Sequence, residues 1–331
     1  MEARSEGNEQ VIHFVVRVHQ AHMTYQHLLA IWQAADSLGY DGASLYDLLA
    51  APCLECWTTL TMLTMATSRI FAIPMVLSHT YRHPAVLAKM AATLDMVSGG
   101  RLVLGLGAGG SQRDHQASGI PWRPLQERLV QLEEGIQLLR FLWSGQEGPF
   151  KSRSYGTVEG SGFPQPIQPG GPPILVGGHG ERYVLRTVAR VADLCNIGFD
   201  LSPVQWQRYK EMLERAAREE GRSPAAIGLT HNATVILGWS EEMIRAKVER
   251  YAQAQGLSAE AAKQRLRHAL VGTPEQCVVR LQAYVTLGIR TFFLVFPDLP
   301  DLASLTLFAA MVLPAFRSGG TVTTSDVRLQ N

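Results

Sequence analysis

The sequence is short of several things. No apolar run approaches the ~20 residues that a bilayer-spanning helix needs, so no membrane partner is expected. Formal net charge is +1, from 30 Lys and Arg against 29 Asp and Glu. So nearly neutral a chain lacks the basic surplus that binds nucleic acid or an anionic surface. The opening residues MEARSEGNEQ hold no apolar stretch of the kind a secretion signal carries, and a cytoplasmic protein is expected. Cysteine is scarce, with 4 in 331 residues. Cys53 and Cys56 form a CxxC, but Cys195 and Cys277 are solitary, so a paired zinc site cannot be assembled. Cys56 also opens an apolar helical run (Trp57, Leu60, Leu63), which favours packing over redox chemistry. His19, His22 and His27 have no carboxylate in register, and no metal is assigned.

Apolar residues are plentiful, at 46% against 18% charged, enough for a large core. They are arranged in alternation. β-rich runs at Val11–Val18, Gly42–Tyr46, Ile70–Leu77, Leu102–Leu106, Ile174–Gly177, Leu194–Ile197, Leu229–Leu237 and Thr291–Phe296 are separated by helical periods. Helices are expected at Tyr25–Ser37, 56–67, 84–98, 125–143, 181–190, 203–220, 274–287 and 302–316. Eight strands alternating with helices predict one α/β domain over 1–331, a (β/α)8 TIM barrel, with a doubly wound sheet as runner-up. Residues 145–172 are read as a patternless excursion, and 238–270 as a largely helical insertion near the barrel mouth. The GLGAGG of Gly105–Gly110 satisfies G-x-G-x-x-G, but Gly119, Pro121 and Pro124 delay the helix that a dinucleotide fold would start there.

The stretch TYRHPAVLAKMAATLDMVSGGRLVLGLGAGG (80–110) resembles the signature of the luciferase-like oxidoreductases, especially the branch using the deazaflavin coenzyme F420. PCLECWTTLTMLTMATSRI, PPILVGGHGER, ADLCNIG and VGTPEQCVVRLQAYVTLGIRTFFLVFPD fall in order where that family places its other segments. The resemblance implies a barrel of the bacterial-luciferase type, a homodimer, and a cofactor ring at the C-terminal ends of the strands.

Residue chemistry adds detail. Pro74 interrupts the third strand and marks a bulge, because proline removes a ladder hydrogen bond. The resemblance implies a non-prolyl cis peptide there, at Met75-Val76 by position, supporting the ring, with the Ser78 hydroxyl toward its polar edge. Gly107, Ala108 and Gly109 carry no bulk, so backbone can approach a flat ring. Gly177, Gly178, His179 and Gly180 precede a helix whose N-terminal N–H groups suit an anion, and the resemblance makes them the phosphate cradle.

Two positions depart from the family pattern. Leu48 follows Asp47 where relatives show Asp-His, and Gly110 stands where sugar-phosphate dehydrogenases carry a glutamate. Neither can exchange a proton. By topology His19, Asp47, His79 and His115 remain near the mouth, with His115 in the place of a family histidine; His115, His19 and Asp47 are the catalytic candidates. Tyr46 and Cys53 are lesser ones. The expectation is an F420-dependent oxidoreductase that transfers hydride to an organic small molecule, reducing a C=C or C=N bond, with His115 or His19 as protonator. The alternatives are an FMN-dependent monooxygenase and a non-catalytic flavin-binding protein. Trp122, Phe150, Tyr155, Phe163 and Trp239 in the variable loops suggest a fairly large substrate.

Overall fold

Helix starts are written in capping chemistry. Thr24, Ser202 and Thr273 each accept a hydrogen bond from the backbone three residues on, and His27, Gln205 and Gln276 reach back to complete capping boxes. Pro84, Pro203 and Pro274 occupy first-turn positions whose missing N–H costs nothing. The computed structural model describes residues 11–160, 162–178 and 183–317.

In chain order the first half contains β1 (His13–Val18), α1 (Tyr25–Ser37), β2 (Gly42–Leu45), α2 (Cys56–Met65), β3 (Phe71–Pro74), β4 (Leu77–Ser78) and α3 (Pro84–Ser98). β5 (Leu104–Gly107), α4 (Gln112–Ala117), α5 (Leu125–Ser144), β6 (Phe150–Ser152) and β7 (Gly156–Val158) follow. The second half contains β8 (Ile174–Gly178), α6 (Tyr183–Val191), β9 (Leu194–Ile197), α7 (Pro203–Glu219) and β10 (Gly228–Leu237). It ends with α8 (Glu241–Ala254), α9 (Ala259–Arg265), β11 (Leu270–Gly272), α10 (Pro274–Thr286), β12 (Ile289–Val295) and α11 (Ala303–Met311).

The main sheet runs β3-β2-β1-β12-β10-β9-β8-β5-β4, every pair parallel. Its two ends, β3 and β4, are halves of the expected third strand, so the ring closes through that strand. Ala72 of β3 also bridges Leu102, with Val103 N donating to Ala72 O. The (β/α)8 barrel is therefore present, with its third strand broken between Pro74 and Leu77. At the break the Met75-Val76 peptide is cis.

Other boundaries differ from the expectation for local reasons. The excursion 145–172 contains the antiparallel hairpin β6–β7. The loop after β5 folds into short α4, because the Ser111 side chain caps it by accepting from Asp114 N. The segment 238–270 is two helices that lead into β11, which pairs with the overhanging end of β10 at Val235–Leu237. The last helix stops at Met311, ahead of Pro314, and continues as a 3-10 turn.

Period-two alternation sorts side chains into two cores. Phe14, Val16 and Val18 of β1 face the helices, in the large outer cluster with Trp32, Leu60 and Phe308. Val15, Ile73, Met75, Leu175 and Phe293 fill the barrel interior. Two residues beyond Val15 along β1 stands Arg17, and two beyond Leu175 stands Gly177. Above its apolar plug the barrel is therefore lined by a different chemistry.

Candidate active site

A cavity of about 600 Å³ lies over that plug, at the C-terminal ends of the strands. In α/β barrels this end carries the active site. One wall is the break in the third strand. Val76 projects between two glycines: a Cβ on Gly107 would fall 2.7 Å from Val76 Cγ2, and one on Gly177 2.8 Å from Val76 Cγ1. The neighbouring Gly105 would place a Cβ against the Pro74 carbonyl oxygen. At Gly105 the obstacle is backbone and only glycine fits; at Gly107 and Gly177 it is the Val76 side chain, which a larger residue would have to displace.

Gly109 has φ +79°, a conformation that favours glycine, and a Cβ there would meet Ser78 Oγ at 2.6 Å. Arg128 of α5 ties this loop down. Its guanidinium donates to Ala108 O, Gly109 O and Arg123 O, and its face lies 3.9 Å from the Trp122 ring centroid. Met75, Val76, Ser78, Gly107, Ala108, Gly109, Gly177 and Gly178 all line the cavity. His179 and Gly180 lie outside the described residues.

The acid/base candidates fare differently. Asp47 lines the cavity, but its carboxylate is committed. It accepts from Ser78 N at 3.1 Å and pairs with Arg82 at 3.0 Å, and Arg82 also bonds Glu55 at 2.5 Å. Burial raises its pKa, against the opposing pull of Arg82. Asp47 thus ties the broken strand to Arg82. His19 is exposed at the edge, with its ring 5.1 Å from that of Tyr46, and does not line the cavity. His79 is buried and held neutral, its pKa lowered to about 4 by burial, and Nδ1 donates to Gly107 O at 3.2 Å.

His115 is fully buried behind the glycine loop, between the rings of Tyr81 and Trp122. It does not touch the cavity directly. The Ser111 carbonyl can only accept, so Nδ1 donates to it (2.7 Å), and in the neutral ring Nε2 accepts from Thr80 Oγ1 (2.8 Å). Thr80 Oγ1 in turn lies 2.7 Å from Ser78 Oγ on the cavity wall. Two hydroxyls therefore connect the histidine to the wall.

The cavity floor holds a polar cluster that sequence reasoning missed. Arg17 Nη1 donates to Asn232 Oδ1 at 2.6 Å, while Asn232 Nδ2 donates to Asn196 Oδ1 at 2.8 Å and Gly198 O at 2.7 Å. Asn196 Nδ2 donates to Thr230 Oγ1 at 2.7 Å, and Thr230 donates to Cys195 O at 3.0 Å. A signal was present: FVVRV, LCNIG and THNATVIL each set a polar residue inside a buried parallel strand, where apolar runs are the rule.

Residues 10–291 match the luciferase-like monooxygenase family. The chain belongs to that family. Among curated relatives, an F420-dependent glucose-6-phosphate dehydrogenase of Kribbella flavida is 26% identical over 324 residues, covering 86% of this chain and 92% of that one. One from Nakamurella multipartita is 32% identical over 169 residues, 48% of each chain. The fold is shared with an F420-dependent secondary alcohol dehydrogenase solved with an F420-acetone adduct, at TM-score 0.77 and 17% identity over 93% of this chain and 99% of that one. Monooxygenase RslO1 from Streptomyces bottropensis matches at TM-score 0.77 and 20% identity, over 92% and 100%.

Proposed function

We propose that this luciferase-like protein binds coenzyme F420 in the cavity and reduces a C=C or C=N bond of an organic substrate. The observation that carries the reading is the glycine-flanked Val76 wall, which offers a smooth apolar surface backed by Gly107 and Gly177 to a flat ring. The names of the sequence relatives favour F420 over FMN. When bound and reduced, F420 supplies a hydride; the chain supplies the rest. Val76 and Met75 support the ring, Gly107 to Gly109 approach it, and Gly177 to Gly180 take the phosphate.

The relatives' sugar phosphate is not carried over. Leu48 and Gly110, the two positions that lack a proton-exchanging group, both line the cavity. The proton that completes a reduction is assigned instead to the Ser78 hydroxyl, which then takes the Thr80 hydroxyl proton; His115 replaces that proton when its ring is doubly protonated, with Nε2–H donating to Thr80 Oγ1. His19, outside the cavity lining, is set aside for that role.

A homodimer is part of the same reading. The outer face of α2 and α3 leaves Met62, Met65, Val86 and Val97 about half exposed beside an apolar groove floored by Trp57 and Met90. A patch of this kind marks an interaction surface, and light scattering of the purified protein reads the mass.

Parallel fluorescence titrations with F420 and with FMN test the cofactor. Saturable micromolar binding of F420 alone is expected. Preference for FMN overturns the F420 reading and brings monooxygenase chemistry forward, and retention of cofactor without turnover of any unsaturated substrate points to a binding protein.

A further inference from the structure

Two arginines line the cavity with no carboxylate at ion-pair distance among the described residues, and they differ in how fully they are used. Arg128 spends its N–H groups on three carbonyl oxygens and its face on Trp122. Arg17 has one good hydrogen bond, to Asn232 Oδ1, and a long one of 3.4 Å to Met75 O. Its Nε is sealed from solvent and has no hydrogen-bond partner. The ring centroids of Tyr46 and Phe199 lie 4.4 and 5.5 Å from the guanidinium carbon. The Phe199 face attracts a cation but offers its N–H groups no acceptor, whereas Tyr46 also contributes its hydroxyl as a side-chain hydrogen-bond partner.

The arginine is also held in place. Asn232 cannot turn its oxygen away, because its Nδ2 donates to the Gly198 carbonyl, which only accepts. The relay through Asn196 and Thr230 ends on a second backbone carbonyl, that of Cys195. Arg17 is thus a preset cation on the cavity wall, with Nη1 on Asn232, only a long bond from Nη2 to Met75 O, and Nε enclosed without an acceptor. Unpaired donors on an enclosed cation are costly unless a ligand completes them.

We propose that Arg17 anchors a carboxylate of the substrate, so that the substrate is an organic anion whose apolar body lies along Tyr46 and Phe199. A single guanidinium without a carboxylate partner, with Nη hydrogens left over by Asn232 and Met75, suits one planar monoanion. A phosphate dianion would call for a second free cation, and Arg128 is already spent. The inference rests on reading this cavity as the site of hydride transfer.

The test compares two probes of one shape, trans-cinnamate and trans-cinnamamide, by calorimetric titration of the purified protein with and without F420. In the wild type, cinnamate is expected to bind at least tenfold more tightly than the amide. Arg17→Met should bring that ratio close to one with the F420 dissociation constant changed less than threefold, and Arg17→Lys should retain part of the preference. Thermal midpoints establish that both variants fold, and Arg17→Lys carries the test if Arg17→Met does not. No preference in the wild type, including no binding of either probe, overturns the proposal, as does a preference that survives Arg17→Met. Loss of F420 binding in Arg17→Met with the cinnamate preference intact would assign the arginine to an anionic group of the cofactor. Failure of the wild type to bind F420 rejects the cofactor reading alone, since the probe ratio is still read without it.

Discussion

Replacing Gly177 by alanine is the sharpest test of how the cavity wall is built. Gly177 has no left-handed backbone, so alanine is conformationally admissible there. The added Cβ would lie 2.8 Å from Val76 Cγ1, while every other neighbour is at 3.6 Å or beyond. Carbon pairs rest at about 3.5–4.0 Å, so Val76 must retreat by roughly 1 Å, and the side open to it is the cavity. Overpacking of this kind costs about 1–3 kcal/mol. Unfolding entropy for a chain of this size is about 0.7 kcal/mol per kelvin, so the melting midpoint should fall by roughly 1.5–4 °C. Affinity for the cofactor should fall with it, because the displaced methyl enters the volume that the ring needs.

Val76→Ala removes the clashing atom. By itself it should cost about 1 kcal/mol, since Val76 is only partly buried. In that background Gly177→Ala should be nearly neutral, which makes the pair strongly non-additive, with a coupling of about 1–3 kcal/mol. Urea denaturation of the four proteins measures the stability cycle, and cofactor titration measures its functional counterpart. If Gly177→Ala costs the same in both backgrounds, within about 0.5 kcal/mol, the glycine is not there to admit Val76 and the account of the wall is wrong.

Three further outcomes follow from the same geometry. Thr80→Val cuts the hydroxyl chain between His115 and Ser78, and should lower turnover at least tenfold, a barrier increase of about 1.4 kcal/mol, with little change in cofactor affinity; unchanged turnover removes the relay. Asp47→Asn weakens the tie between Arg82 and the Ser78 amide, and should cost about 1–3 kcal/mol by urea melt, less if Glu55 takes up the arginine; a neutral result shows that the ion pair does not hold the broken strand. His231 accepts from Trp206 Nε1, stacks on Tyr284 and has its pKa lowered to about 3 by burial. Its folded pKa lies below the unfolded value of about 6.5, so its contribution is complete above pH 6.5 and is lost as pH falls toward 3. Below pH 6.5 the wild type should lose up to about 1.4 kcal/mol per pH unit through this residue, and His231→Gln should flatten that slope; equal slopes would show that His231 does not stay neutral.

The repeating layer of the fold is legible along the chain alone. Alternation of period two and three-to-four, together with caps such as Thr24 and Ser202, is local chemistry read along a few residues, and the eight barrel strands followed from it. Pro74 marked the broken strand, and the glycines at 107 and 109 marked a place for close approach, because an absent side chain is as legible as a present one. Which side chains share the cavity is settled by the folded chain. Arg17 and Asn232 meet across 215 positions of chain, and no local period reports that distance. His115 and Asp47 are candidates by topology, yet their roles depend on partners. Thr80 stands between the first and the cavity, and Arg82 and the Ser78 amide occupy the second. Strand β11 and hairpin β6–β7 went unread for the same reason: a three-residue strand is stabilised by the neighbour it pairs with, and that neighbour is set by the fold.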